Sequence, residues 1–283
     1  MTPFHKSLWQ LNIAVVLFGF AGLFGKFLVL PALIIVLGRT VFGALALWGT
    51  LRLRRQSLRI ATLRGRAMLL ALGAILAIHW FTFFHSIQIS TVAVGLLTYS
   101  TFPLFVTFLE PWLFGEKLRG IDVLTALFVL GGLVLIIPDF DFGNNITRGA
   151  FWGTLSGLSF AFLAMLNRKF VQSHPPLLMA FYQNGFAALV LLPFAFLIPW
   201  HLGERDLLLL IVLGVFCTAL SHALYISSLR RVRTQLASII SSLEPVYGIA
   251  LAFLFLQEIP SLRTLAGGTV ILGTTLIALR YRA

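Results

Sequence analysis

Ten runs of about twenty apolar residues follow one another along this chain, each long enough to cross a bilayer as a helix. They cover residues 8–26, 31–51, 67–87, 91–114, 121–138, 149–167, 176–198, 206–228, 234–256 and 263–280. Several connections are very short, which implies hairpins of neighbouring antiparallel helices. Of the 283 residues, 59% are hydrophobic and 11% are charged, against roughly 45–50% and about 25% in soluble domains. An all-α integral membrane protein with ten transmembrane helices is expected. No Ser/Gly linker or low-complexity tail sets off a soluble domain. The run after Lys6 lacks a small-residue cleavage site and reads as a retained first helix.

The net charge of +12 does not mark a nucleic-acid binder, because the basic residues sit between apolar runs and form no single face. They do orient the chain. With the N-terminus inside, sixteen of the 21 Lys and Arg fall in cytoplasmic segments. The largest group is Arg52, Arg54, Arg55, Arg59, Arg64 and Arg66; Lys117, Arg119 and Arg282 are among the others. Lys26, Arg148, Arg205 and Arg263 fall outside, and Arg39 lies within a span. Both termini are therefore expected in the cytoplasm, in a multi-pass protein of a bacterial inner membrane. The single cysteine, Cys217, forms no internal disulfide, and no Cys/His spacing suggests a metal. No cofactor is implied.

The same punctuation occurs twice, at one fixed offset. Tyr99-Ser100-Thr101-Phe102-Pro103 leads to Gly115-Glu116 and then Gly131. Ser241-Ser242-Leu243-Glu244-Pro245 leads to Gln257-Glu258 and then Gly273. The same shift carries Ser86 to Ser228 and Lys26 to Arg168. Each copy holds five helices. Five is odd, so the second copy enters the membrane upside down. The first repeat is expected over 1–138, the second, inverted one over 149–283, with 139–148 as the external connection. Repeats of this kind in a membrane protein bracket a substrate site near the midplane of secondary transporters.

Ten helices in two halves, each with a mid-helix proline followed by an acidic residue and a glycine-bearing fifth helix, resemble the drug/metabolite transporter superfamily. Within it the chain is similar to the EamA-type exporters. The residues are Pro103, Gly115-Glu116 and Gly131-Gly132, then Pro245, Glu258 and Gly273, with Gln257 departing from the glycine. The resemblance spans essentially the whole chain. It implies export of amino acids, their analogues or organic cations, and the aromatic-rich segments resemble the family's aromatic-amino-acid exporters.

Several residues are candidates for the site. Pro103 and Pro245 lie near the centres of their spans, where a proline removes a hydrogen bond and kinks the helix. The two kinks read as substrate-site bends or hinges, or as packing kinks. Glu244 sits beside one of them. A carboxylate at that depth needs a partner or a cavity. It binds a substrate ammonium, carries a coupling proton, or is a structural partner of Arg39 or of a neighbouring hydroxyl. Arg39, about 12 Å into its span, receives a substrate carboxylate or neutralises Glu244. The first repeat has Phe102 where the second has Glu244, so such a site is asymmetric.

Ala237, Ser241, Glu244 and Gly248 share a helix face, as do Gly95, Tyr99, Phe102 and Val106. His79, Thr82 and Ser86 share another, and Ser221, Tyr225 and Ser228 a fourth. These stripes, with Asn12 on the first helix, read as cavity lining for the set and as packing for any one hydroxyl. Trp80, Tyr99, Phe102 and Tyr247 are suited to stacking on an aromatic substrate. His79 and His222 line the site or are satisfied buried imidazoles. Gly19, Gly22 and Gly25, and likewise Gly131-Gly132 and Gly267-Gly268, favour close helix packing. Glu110 and Glu116 read as structural residues near the water-accessible cytoplasmic end of the fourth helix.

The absence of a P-loop leaves no place for an ATP-driven motor, and no ATPase partner is called for. Drive comes from substrate gradients or coupled ions, protons among them. The expected partners are a small-molecule substrate and the bilayer. The leading expectation is a secondary exporter of amino acids and related metabolites working by alternating access. The alternatives are a drug or organic-cation exporter of the same fold, an intramembrane enzyme, and a passive channel or scaffold.

Overall fold

The computed structural model describes residues 3–60, 62–115, 120–137, 139 and 141–280. Glu116, Lys117, Arg119, Pro138 and Arg282 lie outside the described residues. The first half contains α1 (Pro3–Phe27), α2 (Ala32–Leu53), α3 (Leu63–Ile89), α4 (Val92–Tyr99), α5 (Phe102–Phe114) and α6 (Gly120–Ile136). The second contains α7 (Asn145–Phe170), α8 (Pro176–Ala195), α9 (Glu204–Gly214), a π-helical segment (Val215–Leu220), α10 (Ser221–Ser228), α11 (Thr234–Ser241), α12 (Glu244–Leu256) and α13 (Leu262–Arg280). All ten expected runs are helical. The fourth is α4 with α5, the eighth is α9 through α10, and the ninth is α11 with α12. Helix α7 starts at Asn145, because the Asn144 side chain caps it by accepting from the Ile146 amide at 2.8 Å.

The repeat is visible in the element boundaries. α4 and α11 differ by 142 at both ends, and so do α5 and α12. The sequence places Pro103 and Pro245 inside continuous, kinked helices, and here the structure differs. One helix ends and another starts. The chain turns through Ser100-Thr101 and Ser242-Leu243, and each proline becomes the second residue of the restarted helix. A first-turn N–H has no intrahelical acceptor, so proline there breaks nothing. The Thr101 and Leu243 carbonyls accept the restarting bonds from Leu104 and Val246, both at 3.0 Å.

Helix α3 packs on α7 and α8, α2 on α8 and α9, and α1 on α10 and α12. The half-helices cross at the centre, with α4 against α7 and α12, and α5 against α7. α6 and α13 pair at one edge. Lipid is as apolar as leucine, so burial alone does not drive these contacts; close backbone approach does. A Cβ on Gly132 would stand 2.8 Å from the Gly267 carbonyl oxygen, and one on Gly25 2.8 Å from the Ile87 side chain. A ridge the sequence reading did not single out is Gly149, Gly153 and Gly157 on α7. It meets Ser90, Thr98 and the Tyr99 carbonyl. The outward faces carry exposed apolar residues such as Leu127, Phe255 and Leu276, as a lipid-facing surface requires.

Two carboxylates tie helix ends together. Glu258 accepts from the Val92 and Ala93 amides at 3.1 Å each. The Thr91 hydroxyl accepts from Val94, and the Thr91 carbonyl from Gly95. The Val92, Ala93 and Val94 amides, three donors that the start of α4 would otherwise orphan, are thereby satisfied, and the Gly95 bond begins the regular ladder. Lys26 donates beside them to the Gln88 and Ser90 carbonyls, at 3.3 and 2.8 Å. Glu110, placed by the sequence in contact with water, is instead 1% exposed and pairs with Arg168 at 3.6 Å. α5 packs against α7, and that brings the two together inside the protein.

Candidate functional site

A cavity lies where the broken helices meet α1, α2, α3, α7 and α10. Its polar lining is Arg39, His79, Asn167, His222, Tyr225 and Glu244; Phe18, Trp80, Phe83, Tyr99 and Phe160 supply rings. The free space is about 30 Å3, room for two water molecules at roughly 10–15 Å3 each.

Glu244 reaches it because α12 starts there. Its carboxylate lies in the first turn, where the helix dipole favours negative charge. The Tyr99 hydroxyl from the other repeat hydrogen-bonds to it, while Oε2 has no partner. Arg39 is 1% exposed on α2. Its Nε donates to the Thr218 hydroxyl at 2.9 Å and Nη2 to the Cys217 carbonyl at 3.0 Å. Both acceptors lie in the π-helical segment. The Thr218 hydroxyl in turn donates five residues back to the Leu213 carbonyl at 2.8 Å. The guanidinium stacks 3.8 Å above the Trp80 ring, a cation–π contact. Arg39 and Glu244 thus share a cavity without forming an ion pair.

The two histidines are oriented differently. His79 Nδ1 meets the Ser156 carbonyl at 3.1 Å and the Ser156 hydroxyl at 2.9 Å. A carbonyl only accepts, which assigns the proton of the neutral ring to Nδ1. His222 Nδ1 accepts from the Asn184 amide at 3.1 Å, so its proton falls on Nε2. That Nε2 has no partner. The Tyr225 hydroxyl and the Asn167 amide nitrogen are also unpartnered. Each buried group left in this way costs about 1–3 kcal/mol. Around them, Tyr99 stacks on Phe102 at 5.1 Å, and Phe160 meets Tyr225 at 5.6 Å and His79 at 5.0 Å.

Of the candidates named from sequence, Arg39, His79, Trp80, Tyr99, His222 and Glu244 come together on this cavity. Asn12, Ser241 and Tyr247 do not line it. The Asn12 amide donates to its own helix at Leu8, 2.8 Å. Ser241 is fully buried at the end of α11, and Tyr247 packs over Gly19. Pro103 and Pro245 stand one residue beyond Phe102 and Glu244 and shape the breaks. The hydroxyls of Thr82, Ser221 and Ser228 bond back to their own helices, and Ser86 crosses to the Gly149 carbonyl at 2.6 Å. Phe18, Phe160 and Asn167 are lining residues that the sequence reading missed. The sequence signal for Asn167 is an amide inside an apolar run, one residue before the Arg168 that pairs with Lys26 in the repeat. For Phe18 and Phe160 the signal is the repeat itself, whose shift of 142 carries one onto the other. Among the described residues no cluster of three or more His, Cys, Asp or Glu has the arrangement of a metal site.

The family model of the EamA-like transporters matches residues 6–137 and again residues 147–280. An uncharacterized transporter of Bacillus subtilis, YxxF, is 27% identical over 260 residues, 89% of this chain and 83% of that protein. The pseudopaline exporter CntI of Pseudomonas aeruginosa is 29% identical over 252 residues, covering 86% of this chain and 84% of its own. A crystal structure with 21% sequence identity superimposes with a TM-score of 0.71 over 97% of this chain and 98% of its own, which shows the shared fold.

Proposed function

The chain belongs to the EamA-like transporter family, and on that premise we propose that it is a secondary exporter of small metabolites carrying both charges. Amino acids and related compounds, aromatic ones among them, are the substrate class. Residues 1–138 and 149–283 act as the two inverted halves. They rock about the breaks and expose the cavity to each side in turn, with both termini in the cytoplasm of a bacterial inner membrane.

One observation carries the reading. A carboxylate, a guanidinium and the unpartnered polar atoms of Asn167, His222 and Tyr225 converge on one buried, ring-walled space. The Glu244 carboxylate, short of a donor, suits a substrate ammonium. The Arg39 guanidinium and the His222 N–H suit a carboxylate. The rings of Trp80, Tyr99 and Phe160 supply apolar and stacking surface. With about 30 Å3 free, a substrate is admitted by separation of the walls, as alternating access requires.

Purified protein in liposomes, with an amino-acid panel and with and without a pH gradient, tests this. Saturable counterflow of amino acids supports the reading, and transport confined to organic cations replaces it with the drug-exporter alternative. Glu244→Gln that loses affinity and rate at every pH assigns the carboxylate to substrate. Loss of only the response to the gradient assigns it to a coupled proton. Reporter fusions in 139–148 test the orientation, and an external reading is expected.

A further inference from the structure

A second, larger space opens on the flank of the molecule. It is a cleft of about 710 Å3 between α1, α2, the start of α8 and the π-to-α10 stretch. Its floor is apolar, with Leu47, Ala219 and Leu224 from the facing helices. Its basic residues, Arg54 and Arg230, stand with Gln56 just past the ends of α2 and α10. Arg54 and Arg230 are exposed. Arg230 is held at the rim by donating to the Val171 and His174 carbonyls, both at 3.3 Å. The N-terminus of the twenty-residue α8 opens beside it, adding the positive end of a helix dipole. Arg52, Arg55 and Arg59 follow in the same basic segment.

An apolar trough with a cationic end, on a chain that sits in lipid, has the polarity of a phospholipid. The trough is long enough: Val215 to Ser228 spans about 20 Å at 1.5 Å per residue, more than the roughly 15 Å of hydrocarbon in one leaflet. We propose that this cleft is a binding site for one anionic phospholipid, with an acyl chain along α10 and the phosphate between Arg54 and Arg230. The site is distinct from the central cavity. The cleft is walled by Phe216 and Ala219 on one face of the helical stretch, and Arg39 grips Cys217 and Thr218 on another.

Native mass spectrometry of the detergent-purified protein, titrated with phosphatidylglycerol and phosphatidylcholine of identical chains, tests the proposal without reference to transport. Phosphatidylglycerol is expected to bind about tenfold more tightly. Arg54→Gln with Arg230→Gln should remove that preference and leave phosphatidylcholine binding unchanged, whereas Ala46→Phe, which fills the trough, should weaken both lipids. Should the double variant fail to fold, Arg54→Gln alone is expected to lose part of the preference and Arg54→Lys to keep it. Equal binding of the two lipids to the parent overturns the proposal. So does a preference that survives Arg54→Gln, full competition by glycerol phosphate without chains, or a second copy of the protein displaced by Ala46→Phe.

Discussion

At the Ser100-Thr101 break the helix restarts with Phe102; at the Ser242-Leu243 break it restarts with Glu244. The register of the restarted helix is common to the two. Both have proline at the second position. Both are pressed by a glycine from the first helix of the opposite repeat, but at positions the repeat does not equate: Gly157 against the Tyr99 carbonyl before its break, and Gly19 against the Glu244 carbonyl after the other. The chemistry is not common. One break gives a ring stacked on Tyr99 and set edge-to-face against Phe160, the other a carboxylate with an unpartnered oxygen. The devices that make the break and the group that gives it a task therefore occupy different positions. One can diverge while the other is kept.

The largest effect is expected where the backbone itself is touched. A Cβ at Gly157 would stand 2.7 Å from the Tyr99 carbonyl oxygen, and one at Gly19 3.0 Å from that of Glu244. Gly157→Leu should therefore destabilise by about 3 kcal/mol or more and Gly19→Ala by about 1 kcal/mol, read as melting temperature in detergent. Equal melting of Gly157→Leu and the parent would break the comparison at its root. Next comes the chemistry. Glu244→Gln should fold and lose transport by on the order of ten- to a hundredfold, the loss expected for a hydrogen bond to a charged group. Phe102→Leu should stay within about threefold, since the swap keeps an apolar side chain beside Tyr99 and removes no charge or hydrogen bond. A Phe102→Leu protein as impaired as Glu244→Gln would mean that the two breaks do the same work.

Smaller effects sharpen the picture. Glu258→Ala removes both carboxylate bonds from the start of α4 and should cost about 1–2 kcal/mol, measured by thermal unfolding. A change below the error would show that water caps α4 as well. Smallest for stability are Pro103→Ala and Pro245→Ala. First-turn prolines contribute less than about 1 kcal/mol, so both variants should fold. Transport should still fall in both, because the breaks set where Tyr99 and Glu244 stand. An unequal loss of stability would show that the breaks differ in backbone as well as in side chain.

The helical spans were legible because the length of an apolar run is a direct measure of bilayer thickness, and the duplication because the same punctuation recurs at one offset, in the two stretches that the family model matches. The breaks were not. Tyr99 through Pro103 reads as a kinked helix because nothing in an apolar run distinguishes a bent ladder from two ladders. The π-helical segment Val215–Leu220 leaves no mark in composition at all. Arg39 and Glu244 stood out because charge at that depth demands an account. Phe18 and Phe160 did not, since a helix that is apolar all round carries no sign of which ring meets lipid and which meets a cavity; only the repeat, which equates the two positions, marks them as a pair. Glu110 was misplaced for a related reason. Sequence gives its height in the span, and only packing shows that Arg168 shields it from water.

The wide turn between Val215 and Leu220 has a mechanical consequence. Each residue of an α-helix advances the chain by about 100° of rotation, and a stretch wound more widely delivers the next residue at a different angle. His222 and Tyr225 come directly after it, so the winding of those six residues acts as a gear that sets where both point. Its teeth are held by Thr218 reaching to Leu213 and by Arg39 holding Cys217. Any change in that winding would turn His222 and Tyr225 together, and with them the polar face they present to the cavity.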